Sequence, residues 1–146
     1  MNKLQSFGDR SNFWSNLALM SERKVLSMKP QEVVGYLTSN QKVMLIDVRD
    51  SDFGEGGYIK NAVNIQSFLF NIAVVNDILK QAQDDGVSFI VFYCQFGQQR
   101  SVKCANTVNQ VLSKMSPTPL IQIAYIEGGF NLFRSTFHDT EYILTK

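Results

Sequence analysis

The sequence predicts an α/β domain, a mainly parallel sheet with helices on both faces. Short apolar runs at 43–47, 62–65, 87–93 and 120–126 alternate with segments whose apolar residues recur at helical spacing. Strands separated by helices pair in parallel through crossovers, and crossovers lay helices over both faces of the sheet. The chain has 146 residues, 45% apolar and 18% charged, enough for one soluble domain with a sizeable core.

The elements follow in order. In residues 1–23, Phe13, Leu17 and Met20 fall at helical spacing, which predicts a short amphipathic helical extension with Trp14 as a packing anchor. The main domain is expected over 24–146. Residues 24–27 form a short strand. Pro30 suits the first position of a helix running to Leu37, and Asn40 stops it. Residues 43–47 are a buried strand, 50–57 a polar turn with three glycines, and 62–65 another short strand. From Ser67, the residues Phe68, Ile72, Val75, Leu79 and Ala82 share one helical face, and Gly86 ends the helix. The run 87–93 is the central strand. A helix from Arg100 carries Cys104, Val108, Val111 and Met115 on one stripe, and Pro117 and Pro119 stop it. Residues 120–126 are the last strand. Gly128 and Gly129 turn the chain into a segment over 130–137, and 139–146 is a short tail.

Composition excludes several functions. The net charge is +1 without a basic block, which argues against nucleic acid or an anionic membrane as main partner. No apolar stretch reaches membrane-spanning length, and residues 1–10 lack the apolar core of a signal peptide. Two cysteines, Cys94 and Cys104, do not make a disulfide framework, so a reducing compartment, cytoplasm or nucleus, is expected. His138 is the single histidine and reads as a surface or packing residue. No metal-ligand pair stands at finger spacing, and neither a G-x-S-x-G elbow nor a nucleotide-binding glycine loop is present.

The chemistry concentrates at 94–100, Cys-Gln-Phe-Gly-Gln-Gln-Arg, between the central strand and the next helix. Ligands of parallel sheets bind at the carboxyl ends of strands. A loop entering a helix N-terminus gathers free N–H groups that favour an anion. Arg100 adds a planar fork for a tetrahedral oxyanion. The same positive field favours thiolate at Cys94. Gly97 supplies a mid-loop position able to turn left-handed. A nucleophile, an anion site and a charge clamp within seven residues indicate phosphoryl-transfer chemistry through cysteine.

Two further segments, Asp47-Val48-Arg49 with Gly57-Tyr58-Ile59, and Gly128-Gly129-Phe130-Asn131-Leu132-Phe133, resemble the D-x-R, G-H-I and C-terminal G-G signatures of the rhodanese family. With the cysteine loop they span about residues 24–137 in the family's order. The resemblance implies a rhodanese-like fold. Within that superfamily the C-x5-R loop resembles the phosphatase branch, which holds the dual-specificity phosphatases that activate cyclin-dependent kinases and the eukaryotic arsenate reductases. Sulfurtransferases carry a loop one residue shorter. By this resemblance Cys94 forms a phosphocysteine, Gln95, Phe96, Gly97, Gln98, Gln99 and Arg100 bind phosphate, and Ser101 assists the thiolate. Ser101 also reads as a helix-start residue satisfying backbone. No cofactor is implied for a phosphatase, and glutathione or glutaredoxin-type thiols are implied for an arsenate reductase. The expected partners are a phosphoprotein or a small oxyanion, and the expected state is a monomer. A phosphate-binding module without catalysis is the non-enzyme alternative.

The sequence departs from the pattern at named positions. Tyr93 and Tyr58 stand where the family has histidine, Gln99 where the activator phosphatases carry an acid, and Val48 where they carry a back-door cysteine. Ser101-Val102 replaces the usual small residue and proline. Asp47 reads as a tie at the strand end and Arg49 as a structural partner of Glu55, ahead of a general-acid role for Asp47, Asp50, Asp52 or Glu55. Cys104 reads as buried core, ahead of a resolving thiol.

Overall fold

The computed structural model describes residues 24–145. The helical extension expected over 1–23, with Trp14, lies outside the described residues. In chain order the elements are β1 (Leu26–Met28), α1 (Pro30–Leu37), β2 (Val43–Asp47), β3 (Tyr58–Ile59), β4 (Val63–Asn64), a 3-10 turn (Ser67–Leu69), α2 (Ile72–Asp85), β5 (Phe89–Tyr93), α3 (Arg100–Ser113), β6 (Gln122–Ile126), α4 (Gly129–Phe137) and β7 (Ile143–Leu144).

Five strands form one parallel sheet in the order β1-β6-β5-β2-β4. The alternation of strand side chains sorts the core into two layers. Ile46, Ile90, Phe92 and Ile123 face α2 and α3, packing on Val75, Leu79, Ala105 and Val108. Leu45, Val91, Tyr93, Ala124 and Ile126 face the other side with Val33 of α1 and Phe130 and Phe133 of α4. Central strands β2 and β5 are buried on both faces, which is why they read as continuous apolar runs. Among the described residues no helix is long and apolar enough to cross a membrane.

Two local expectations are corrected. The helix read from Ser67 begins at Ile72, because Asn71 caps it by accepting from the Val74 N–H at 2.9 Å. Phe68 and Ile72, placed on its buried face by periodicity, are 70% and 63% exposed. The tail, read only as short, carries a strand: β7 pairs antiparallel with β3, and neither strand is legible in a two-residue stretch. Helix α1 ends at Leu37 as the sequence predicts, and Thr38 Oγ1 donates to the Val34 carbonyl there.

Tyr93, the last residue of β5, is wholly buried on the α4 side, its ring stacked on Phe130. Its hydroxyl accepts from the Ile59 N–H at 3.1 Å and bonds the Asp47 carboxylate. Burial, and then the Asp47 charge, push its phenol far above the ordinary range. Alternation sends the next residue, Cys94, to the opposite layer. Tyr93→Phe should therefore leave the Ile59 N–H unsatisfied and lower stability by about 1–3 kcal/mol, read as the urea midpoint. The same variant should not move the pH midpoint of Cys94 alkylation. A shifted midpoint would place the Tyr93 hydroxyl at the thiol.

Candidate active site

Cys94 leaves the carboxyl end of β5, the middle strand of the sheet, and Arg100 opens α3. Between them the loop bends over the start of α4. The Phe130 N–H donates to the Cys94 carbonyl and the Asn131 N–H to the Gln95 carbonyl, each at 2.8 Å. These bonds turn the Cys94 and Gln95 carbonyls toward α4. Two glycines make the close approach possible. Gly97 has φ +69°, and a Cβ there would sit 2.7 Å from the Ile126 carbonyl oxygen and the Gly129 nitrogen. Gly129 has φ +61°, and a Cβ there would sit 2.5 Å from the Cys94 carbonyl oxygen. The C-terminal G-G pair is thus the floor of the cysteine loop.

Cys94 is nearly buried, yet it lines an opening of about 340 Å³ shared with Phe96, Gln98, Gln99 and Arg100. Burial pushes its thiol pKa up. The Ser101 hydroxyl at 3.2 Å, the Ser101 and Gly97 N–H groups and the Arg100 charge outweigh burial and set it below the ordinary range. Ser101 is wholly buried, with its hydroxyl 3.2 Å from the Cys94 sulfur. Cys104 is buried in the α2–α3 layer, and desolvation, followed by the Asp50 and Cys94 charges, pushes its thiol up to about 12.

Arg49 is the largest fully buried side chain among the described residues. Its ion-pair partner is Asp47 at 2.7 Å, not the Glu55 carboxylate that the sequence predicted; Glu55 supplies only its carbonyl. The reason is local: two residues apart on a strand end, Asp47 and Arg49 point to one side and share the desolvated space. The remaining guanidinium donors reach the Gly57 carbonyl at 2.8 Å and Gln95 Oε1 at 3.1 Å, and the ring of Phe130 lies 4.4 Å from its carbon. Through Arg49 the pair ties the loop at Gln95. That side chain points to Arg49, so Gln95 can meet a loop-bound anion only through its backbone.

At the other end of the loop, Arg100 donates from Nη1 and Nη2 to the two oxygens of Asp52 at 2.8 and 2.7 Å, with Asp50 at 3.4 Å. Hydrogen bonds from Arg100 hold Asp52 below the ordinary carboxylate range. Burial raises Asp50, but Ser67, the Phe68 N–H and Arg100 bring it below that range. Both therefore favour the ionised form at neutral pH. The pairing of Arg100 with Asp52 was missed in the sequence, because 48 residues separate the partners. Gln98 and Gln99 are exposed, Phe96 is 59% exposed, and His138 is a surface residue beside Asp139.

Comparison places this geometry in a family. The rhodanese-like domain matches residues 29–136, and the chain belongs to that family. Its fold is the rhodanese fold, a mainly parallel central sheet with four helices. Among solved structures, the As-Sb reductase of Leishmania major aligns with TM-score 0.72 at 25% identity over 81% of this chain and 82% of that one. Saccharomyces cerevisiae Ygr203w, described as a protein tyrosine phosphatase of the rhodanese family, aligns with TM-score 0.69 at 23% identity over 82% and 90%. A possible tyrosine phosphatase from Rhodopseudomonas palustris aligns with TM-score 0.57 at 19% identity over 80% and 84%. These are the kinds of protein that the loop resembles. No curated protein matches the chain.

The environment of Cys94 gives a pH dependence. Its alkylation should reach half-maximum below the pH of an ordinary thiol, because the folded state favours thiolate. Ser101→Ala removes a donor to that thiolate, so the midpoint should rise and alkylation at neutral pH should slow several-fold. An unchanged profile would mean that the hydroxyl does not hold the charge.

Proposed function

We propose that this chain is a cysteine-dependent phosphatase of the protein-tyrosine or dual-specificity type. One observation supports it most: a thiol held below its ordinary pKa at the mouth of a seven-residue loop closed by an arginine. Cys94 thiolate attacks phosphorus as the bond to the substrate oxygen breaks, and the leaving oxygen takes its proton from water. A second water then cleaves the S–P bond, releasing phosphate and regenerating the thiolate. Backbone N–H groups of 95–99 and Arg100 hold the equatorial oxygens, and Ser101 stabilises sulfur as it leaves. The reaction needs no cofactor. The partners are a phosphoprotein or a small oxyanion, met by a monomer in the cytoplasm or nucleus.

A second reading, arsenate reduction, is favoured by the likeness to the Leishmania As-Sb reductase. Cys94 would displace hydroxide from arsenate. A glutathione-type thiolate would then attack the Cys94 sulfur, the As–S bond pair leaving with arsenic as arsenite, so that the two thiols together supply two electrons and leave a Cys94 mixed disulfide that a glutaredoxin-type thiol reduces. Tyr93 and Gln99, in place of a histidine and an acid, favour a third reading, a binding module that holds phosphate without turnover. Sulfur transfer ranks last, because the loop is sized for a larger tetrahedral centre.

Rates measured side by side with an aryl phosphate, arsenate plus glutathione, and thiosulfate plus cyanide test the order. Aryl phosphate should turn over fastest. Cys94→Ser should abolish that rate, and Arg100→Lys should lower it by about a hundredfold, the scale of losing a preorganised donor. Faster arsenite production would promote the second reading, and no turnover of any substrate the third.

A further inference from the structure

Arg100 presents two hydrogen-bonding edges, the end edge of Nη1 and Nη2 and the side edge that includes Nε. Asp52 takes the end edge with both carboxylate oxygens, at 2.8 and 2.7 Å. The side edge carries no protein hydrogen bond through Nε among the described residues. We propose that Asp52 is a positioning residue for oxyanion binding at the Cys94 loop, fixing the end edge of Arg100 so that the side edge faces the anion. The proposal rests on the oxyanion-binding part of the reading above.

The carboxylates are held independently of Arg100. Asp52 Oδ1 accepts the Asp50 N–H at 3.0 Å, while Asp50 accepts from Ser67 Oγ at 2.6 Å and the Phe68 N–H at 3.3 Å. The far end of the same turn is fixed by Arg49 on the Glu55 and Gly57 carbonyls. Arg100 itself is a third exposed, with a long side chain that would otherwise sample many rotamers. A bidentate partner mounted on a turn fixed at both ends removes that freedom before an anion arrives, which is where preorganisation adds affinity. Asp50, 3.4 Å away, contributes charge more than direction. The alternative chemistry of the same contact is competition, in which Asp52 occupies the fork that an oxyanion needs. The two readings predict opposite signs.

The test is protection of Cys94 from iodoacetamide by arsenate, vanadate or phosphate, read by the mass of the peptide that carries Cys94. It is run on the full chain as wild type, Asp52→Asn, Asp52→Ala, Arg100→Lys and Arg100→Lys/Asp52→Asn, each checked for a native far-UV spectrum. Asp52→Asn and Asp52→Ala should each raise the half-protecting arsenate concentration by about tenfold, between the worth of an exposed ion pair and that of a charged hydrogen bond. In the Arg100→Lys background, Asp52→Asn should change it by less than about twofold, since the two residues act as one unit. A lower half-protecting concentration in the Asp52 variants would overturn the proposal in favour of competition. Equal effects of Asp52→Asn in both backgrounds, no effect in either, or no protection of the wild type would overturn it as well. Protection does not require turnover. Failure of the catalytic reading, seen as zero rate with intact protection, is therefore distinct from failure of this one.

Discussion

The buried Asp47–Arg49 pair is the constraint on which the site depends. A guanidinium removed from water is tolerable only when its donors are matched. Here Asp47 takes the charge, the Glu55 and Gly57 carbonyls and Gln95 take other donors, and the Phe130 ring lies close to the cation. Each of those contacts fixes something else. The two carbonyls set the path of the 50–57 turn, and Gln95 sets the start of the cysteine loop. Removing one partner of such a pair costs about 3–5 kcal/mol, a large share of a domain's stability. The arrangement is therefore not free to drift.

From that anchor the loop's chemistry follows by orientation. Helix α4 donates N–H groups at its N-terminus to the loop carbonyls, and Gly97 and Gly129 let the two backbones touch. On the sulfur side the Ser101 hydroxyl, the Ser101 and Gly97 N–H groups and the Arg100 charge are what favour thiolate at Cys94. Tyr93 instead spends its hydroxyl on the Asp47–Ile59 side of the sheet.

Much of this was legible in the sequence, for physical reasons. Strands β2 and β5 were readable because burial on both faces leaves an unbroken apolar run. The seven-residue loop was readable because cysteine, glycine and arginine each have a distinct physical role at their spacing. Buried Cys104 followed from its place on an apolar helical stripe. What escaped depends on pairings distant in sequence or on two-residue elements. Asp52 with Arg100 is such a pairing, and β3 with β7 is such an element. The start of α2 was misplaced because Phe68 and Ile72 continue the helical period into residues that stay exposed. There the Asn71 cap, a local side-chain bond, outranks periodicity. Arg49 was given the wrong carboxylate because Asp47 and Glu55 are both near in sequence, and only the strand geometry separates them.

The central claim is that Cys94 is a nucleophile toward a phosphoryl group held by its own loop. The most direct measurement is acid quenching of the wild-type protein during reaction with an aryl phosphate, followed by peptide mass spectrometry. The account predicts one phosphoryl group on the peptide carrying Cys94, lost in Cys94→Ser and lost from the wild type on standing at neutral pH. A phosphoryl group on any other residue, or phosphate release with no thiol adduct at any quench time, would contradict it.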